Sequence, residues 1–363
     1  MRTIAIIAAL GALAGCGLDD KFKGAAGGDD MAVGRGDDMS DTGGDDLAAA
    51  DMTTPPDMVA TDLAQNITAL TWDDVSASIP AGAVLTSVFA LSDSDVYFGE
   101  FGKEIVRHWD GNMTWTTPLN NASVTNSISA VWAFSTSDVY AVSQSGVYHY
   151  NGSTFPKVYT ASGGAAPEAL WGPSAAYVRA VGSNSLSLLS TNGGTSFATG
   201  DPYSGELTAY WGPSMTEQYV GTGAGDIAHE GGAGGAGLTK ETSVNNVRIN
   251  KIWGTSAGSV WAVGSTGTVL HSSGNGQWQA AALGVPGTAG IQTIWGPSPD
   301  DLFIGGTNGT FMQSTNLGLS WVAVAGSNLP TDGQVMGIWG ASKTDIWVLY
   351  RATSNGTKIF HGH

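Results

Sequence analysis

From residue 67 to residue 363 the apolar positions come in short runs and never recur at helical spacing. One stretch shows the pattern: Val260-Trp261-Ala262-Val263-Gly264, then Gly267-Thr268-Val269-Leu270-His271, then Gln277-Trp278-Gln279. β-Branched and aromatic runs punctuated by Gly, Ser and Asn predict short strands joined by tight turns. The same filling follows seven aromatic marks: Phe89, Trp132, Trp171, Trp211, Trp253, Trp295 and Trp339. Their intervals are 43, 39, 40, 42, 42 and 44 residues, with the run into each mark supplying a fourth strand per repeat. Four strands at a period of about 40–45 residues make a β-propeller blade. The marks themselves are expected to pack blade against blade.

The last repeat stops early. It runs from Trp339 through Asp345-Ile346-Trp347-Val348 and Lys358-Ile359-Phe360-His361, without the strand that elsewhere carries Trp115, Phe155, Phe197, Trp278 or Trp321. Thr68-Ala69-Leu70-Thr71-Trp72 supplies it: Trp72 precedes Phe89 by 17 residues, as Trp115 precedes Trp132 and Trp278 precedes Trp295. The expected fold is therefore all-β, a seven-bladed propeller whose N-terminal strand completes blade seven. Closure of this kind leaves no open first or last blade, and so removes the unpaired edge that an incomplete blade would offer as a template for aggregation.

The N-terminus follows other rules. Arg2, an apolar core from Ile4 to Leu13 and Leu13-Ala14-Gly15-Cys16 make a targeting segment with a small-residue cleavage site. Residues 17–66 hold twelve acids against three bases and one aromatic, Phe22. Such a composition buries too little apolar surface to offset its ordering entropy, so a disordered tether is expected. A flexible coil of that length spans roughly 40 Å. The domain reading is residues 1–15 signal, 16–66 anchor and tether, and 67–363 propeller. Arg35-Gly36-Asp37 lies in the tether and is read as a chance tripeptide. Cys16 is the one cysteine, which excludes an intramolecular disulfide and a thiol nucleophile in the propeller.

Candidate chemistry is sparse. Six positions after the marks stand Asp95, Asp138, Tyr177, Glu217, Ser259, Asp301 and Asp345, each with a Ser three residues before. Ser-X-X-Asp between strands reads as turn chemistry, with both side chains bonding local backbone. A calcium site would need more oxygen ligands than this spacing supplies. His108, His149, His229, His271 and His361 share one register in five blades, which keeps them from converging on a metal. No hydrolase elbow, zinc helix or nucleotide loop occurs, so no catalytic residue, metal or cofactor is assigned. The net charge of −17 argues against nucleic acid. The glycine-rich segment Gly231 to Gly237 breaks the repeat in blade four, and its role is left open.

These segments carry resemblances. Leu-small-small-Cys resembles the bacterial lipoprotein signal, which implies lipid on Cys16. Gly17, where an Asp would imply the inner membrane, implies an outer-membrane lipoprotein, periplasmic or surface-exposed. Ser190-Thr191-Asn192-Gly193-Gly194-Thr195-Ser196-Phe197 and Ser314-Thr315-Asn316-Leu317-Gly318-Leu319-Ser320-Trp321 resemble the Asp-box of sialidase-like (BNR) propellers, with Asn for Asp. That motif is structural in its families. A sialidase would also need an arginine trio and Arg-Ile-Pro, and the propeller offers only Arg107, Arg179, Arg248 and Arg351, each in a different repeat phase. Trp253 to Gly264 is similar to the Trp-Gly repeat lipoproteins of Gram-negative bacteria.

The expected function is a monomeric, non-enzymatic, lipid-anchored envelope module. Its partner would be a protein or a polysaccharide, bound by the loops leading into the marks (residues 73–87, 116–130 and 279–293). One alternative is a carbohydrate-active enzyme using Glu206, Glu217 or Glu241 at the channel mouth. Another is an assembly scaffold for an envelope complex.

Overall fold

The computed structural model describes residues 69–363 apart from 113, 201–202, 232–236, 284–288 and 355. The signal segment, Cys16, the tether with Arg35-Gly36-Asp37, and most of the Gly231 to Gly237 segment lie outside the described residues. The rest forms seven four-stranded antiparallel sheets, numbered here as blades 1–7 in chain order. Blade 1 is typical, with strands Leu85–Ser92, Asp95–Glu100, Glu104–Trp109 and Trp115–Asn121 from the axis outward. Each blade lies between two others, so its second strand is buried on both faces: Tyr177–Gly182 and Ser259–Gly264 are buried at every position. Where sheets approach most closely the strand carries glycine. A Cβ on Gly99 would lie 2.6 Å from Ile128 of the next blade, and one on Gly305 would lie 2.3 Å from Val335.

The ring closes as the sequence predicts. Blade 7 takes three strands from the C-terminus, Gln334–Ser342, Asp345–Arg351 and Thr357–Gly362, and its outermost strand, Trp72–Asp74, from the N-terminus. Trp72 pairs with Gly362, Asp73 with His361 and Asp74 with Phe360. The ladder extends one step further, with Thr71 and His363 exchanging backbone hydrogen bonds at 3.0 Å in both directions.

The recurring acids do something other than the turn chemistry expected of them. The Ser half behaves as expected: Ser92, Ser135, Ser214 and Ser342 accept the N–H two residues on. The acid instead reaches the third-strand histidine, at 3.0 Å for Asp95–His108, 2.7 Å for Asp138–His149 and 2.9 Å for Asp345–His361. Each imidazole then stacks on the second-strand aromatic directly across the ladder, with Tyr97–His108 at 4.6 Å and Tyr140–His149 and Trp347–His361 at 4.1 Å. A carboxylate oriented by a ring and a ring fixed by a carboxylate lock two strands together in the sheet interior. Blade 3 lacks the set, with Tyr177, Arg179 and Leu189 in the three places. Ser259 stands where the acid would be in blade 5, and Gln313 replaces the histidine in blade 6, donating to Asp301 at 2.8 Å.

A neighbouring blade covers the second-strand rings of blades 2, 4 and 5. Asn192 holds its hairpin by accepting the Ser196 N–H and the Ser190 hydroxyl at 3.1 and 2.9 Å, and Asn316 does the same for Ser320 and Ser314 at 3.0 Å each. The hairpin glycines sit on the rings beneath: a Cβ on Gly194 would lie 2.3 Å from the Tyr140 hydroxyl, and one on Gly318 would lie 1.9 Å from the Trp261 indole. Trp278 and Trp321 cap Tyr219 and Trp261 edge-on, both at 6.0 Å.

Candidate functional site

A β-bulge recurs in every inner strand, always three residues before the mark. The bulged residues are Thr86, Ser129, Glu168, Thr208, Asn250, Gln292 and Met336. An extra residue is left unpaired and its side chain is re-aimed, a device often found next to functional sites. Here all seven side chains line one cavity on the axis, at the end where the inner strands begin (the upper face). Three of them also stitch the ring, since Thr86, Thr208 and Asn250 donate to the carbonyls of Ile128, Ile249 and Ile291 in the following blade.

The cavity is a cup rather than a pore. Phe89 stacks on Trp339 at 4.7 Å and touches Trp132 at 4.9 Å, while Trp339 meets Trp132 at 5.3 Å and Trp253 at 5.1 Å. Blades 2, 5 and 7 are not all neighbours, so these contacts cross the axis and block it. Phe89, Trp132 and Trp339 form the floor of a cavity of about 160 Å³. The other marks, Trp171, Trp211 and Trp295, are buried away from it. The seven marks thus divide between blade packing and an axial plug, a division invisible in a repeat where all seven hold the same phase.

Two charged features stand in the cup. Lys251, two residues before Trp253, places its ammonium 5.9 Å from the centre of the Trp339 ring, and burial pushes its pKa down to about 8. It has no carboxylate partner among the described residues. Glu168 has one: Arg248 donates to it at 2.9 Å and also to Glu206 on the far side. Burial raises the Glu168 pKa against the pull of Arg248, with the Glu206 charge adding to the rise. Burial disfavours the charge on Arg248 too, but the two carboxylates outweigh it and hold its pKa above the ordinary value. The bridge spans the approaches to blades 3, 4 and 5 beside the mouth.

The structure separates the acids named as channel-mouth candidates. Glu206 lies at the mouth through Arg248. Glu217 and Glu241 do not, because blade 4 turns them onto the two nitrogens of His229, at 2.8 and 2.9 Å. The four arginines are equally dispersed. Arg107 pairs with Glu100 at 2.7 Å, Arg179 lies 3.6 Å from Glu230, Arg248 stands ahead of blade 5 and Arg351 lies on blade 7. The five third-strand histidines lie one to a blade, each across its own ladder from Tyr97, Tyr140, Tyr219, Trp261 or Trp347. The cup offers hydroxyls, amides, one ammonium and an aromatic floor to a small polar group. Sequence reasoning missed it because the bulge positions share no residue type. Their fixed offset from the marks was the one available signal.

No protein-family model matches the chain, and no curated protein sequence does either. Among the described residues no helix is long and apolar enough to cross a membrane. The fold is similar to solved structures. YCF48 from Cyanidioschyzon merolae superposes with a TM-score of 0.64 at 14% identity, covering 81% of this chain and 99% of that one. YCF48 bound to D1 peptide gives 0.64 at 12% identity, over 82% and 98%. The extracellular domain of BT4673 from B. thetaiotaomicron gives 0.62 at 14% identity, over 80% of this chain and 40% of that one. At these identities the likeness establishes the fold: the chain carries a seven-bladed β-propeller closed by its own N-terminal strand.

Proposed function

We propose that this protein is a lipid-anchored binding module of the cell envelope, not an enzyme, that holds a protein or polysaccharide partner at the axial cup on its upper face. The observation that carries the reading is the cup itself: seven bulged side chains aimed into a blind cavity floored by aromatic rings. A cavity with a few convergent polar groups over apolar walls is the usual form of a small-ligand site. The side chains lining it provide no nucleophile held by a base, which sets a binding role above the carbohydrate-active alternative. The resemblance to Trp-Gly repeat and Asp-box-like propellers, and the Leu-Ala-Gly-Cys16 signal, support an outer-membrane lipoprotein facing the periplasm or the cell surface.

The test is affinity capture from the native envelope with the full chain, beside Ser129→Trp, which fills the cup. A partner captured by the wild type and lost with Ser129→Trp supports the reading. Equal capture by both removes the cup from the function, and turnover of envelope glycans by the wild type makes the protein an enzyme. Lipidation is checked separately, since Cys16→Ser should move the protein from the membrane to the soluble fraction. The peptide held by YCF48 favours a second reading, in which the partner is a protein segment and the module is an assembly scaffold. Stoichiometric membrane proteins in the captured material would mark that case.

A further inference from the structure

We infer that the cup receives an acidic sugar, a uronate unit of an envelope polysaccharide, whose carboxylate is held by Lys251 above the aromatic floor. The inference rests on the cup being the ligand site proposed above and names the class of group that fills it.

Three observations converge. The first is an uncompensated charge. Lys251 is half-buried in the wall of the cup, and a charge partly withdrawn from water is ordinarily paired, because desolvation is costly without a counter-charge. Lys251 stands over the Trp339 ring with no acid partner among the described residues. The one carboxylate in the cup wall, Glu168, is already engaged by Arg248. A ligand carboxylate is the group that completes the site.

The second is the polar equipment around the ammonium. Ser129 and Gln292 line the cup and make no side-chain hydrogen bond among the described residues, unlike Thr86, Thr208 and Asn250, which are spent on backbone carbonyls. A hydroxyl and an amide, each able to donate and accept, match the hydroxyls of a sugar.

The third is shape. A cavity of about 160 Å³ holds the volume of about five water molecules, room for one ring-sized group. The plug of Phe89, Trp132 and Trp339 closes it below, so an extended chain cannot thread the axis. The rings of the plug give the cup an apolar floor, which suits the C–H groups of a pyranose.

The experiment titrates the full chain with galacturonate, galactose and acetate, and with a short peptide carrying a free C-terminal carboxylate. The wild type should bind galacturonate about ten- to a hundredfold more tightly than galactose, the range expected of one charge-assisted contact. Lys251→Met should erase that preference and leave galactose within about twofold, while Lys251→Arg should keep it. The wild-type comparison stands by itself if a variant fails to fold. Equal affinity for galacturonate and galactose overturns the acidic-sugar assignment and leaves the cup as a ligand site. Acetate binding as tightly as galacturonate, or the peptide binding where galacturonate does not, overturns the sugar. Failure of the wider reading shows elsewhere, as partner capture that Ser129→Trp leaves unchanged.

Discussion

Trp72 and Gly362 face each other as Cα partners across the seam of the ring, and a Cβ on Gly362 would land 2.8 Å from the indole. The two ends of the domain therefore meet through a large ring lying over a residue with no side chain. Trp72 is also edge-on to Phe311 of blade 6 at 5.2 Å, so the seam is fastened to the neighbouring blade as well as to its own.

Breaking that seam should unfold the domain at lower temperature. Trp72→Ala is expected to cost about 3–5 kcal/mol as a buried aromatic truncation. Gly362→Val, which forces the indole aside, should cost about 1–3 kcal/mol. Excising residues 67–75 should lower the Tm further than either. Thermal unfolding of the three variants checks this, and an unchanged Tm on excision would remove the N-terminal strand from the fold.

His229 and His271 should titrate in opposite directions. Burial disfavours the His229 cation, but Glu241 and Glu217 outweigh it and raise the pKa above 6.5. The stability this gives is complete below about pH 6.5 and is lost as pH rises through the folded value. Glu241→Gln, which keeps the shape and removes the charge, should therefore cost about 1 kcal/mol more at pH 6 than at pH 9. In blade 5 Ser259 holds the position that an acid holds in blades 1, 2, 4 and 7, and burial alone lowers the His271 pKa. Its contribution is complete above pH 6.5 and is lost as pH falls. Ser259→Asp should reverse the shift, read by NMR titration of the imidazole. A His271 pKa unmoved by the new carboxylate would show that this blade cannot form the pair.

Desolvation of the Lys251 ammonium is expected to cost the fold some stability. Its pKa is about 8 in the fold against 10.5 for a free lysine, so between these values the unfolded chain binds the extra proton. Stability should rise as pH climbs from about 8 to 10.5. Lys251→Met should melt at a higher temperature than the wild type at pH 7, and the difference should shrink across that window. A variant less stable at pH 7 would mean that Lys251 has a counter-charge in the free protein.

Gly318 and Gly326 separate packing from backbone strain. Both adopt positive φ, 74° and 72°, but a Cβ on Gly318 would strike Trp261 at 1.9 Å whereas Gly326 has nothing within 4 Å. Gly326→Ala should cost about 1–2 kcal/mol, the left-handed penalty alone. Gly318→Ala should cost about 1–3 kcal/mol more, because the hairpin has to lift off the indole. Equal destabilisation by denaturant titration would show that the hairpin does not bear on the stack.

The sequence by itself determined the number of blades, the strand order and the closing strand. Each depends on local alternation and on a period that successive repeats reveal, and the missing strand of blade 7 could be found because Trp72 keeps the spacing of Trp115 and Trp278. The binding geometry was not local in that sense. Thr86, Ser129, Glu168, Thr208, Asn250 and Gln292 are polar and Met336 is not, and no single residue type recurs at their position as Trp does at the marks. A ring of seven sheets brings them together, and a bulge in each inner strand aims them inward. Whether a Trp packs between blades or plugs the axis, and whether a lysine has a counter-charge, depends on neighbours supplied by distant repeats. Only the tertiary structure decided that, because convergence on an axis belongs to the closed ring and to none of its blades.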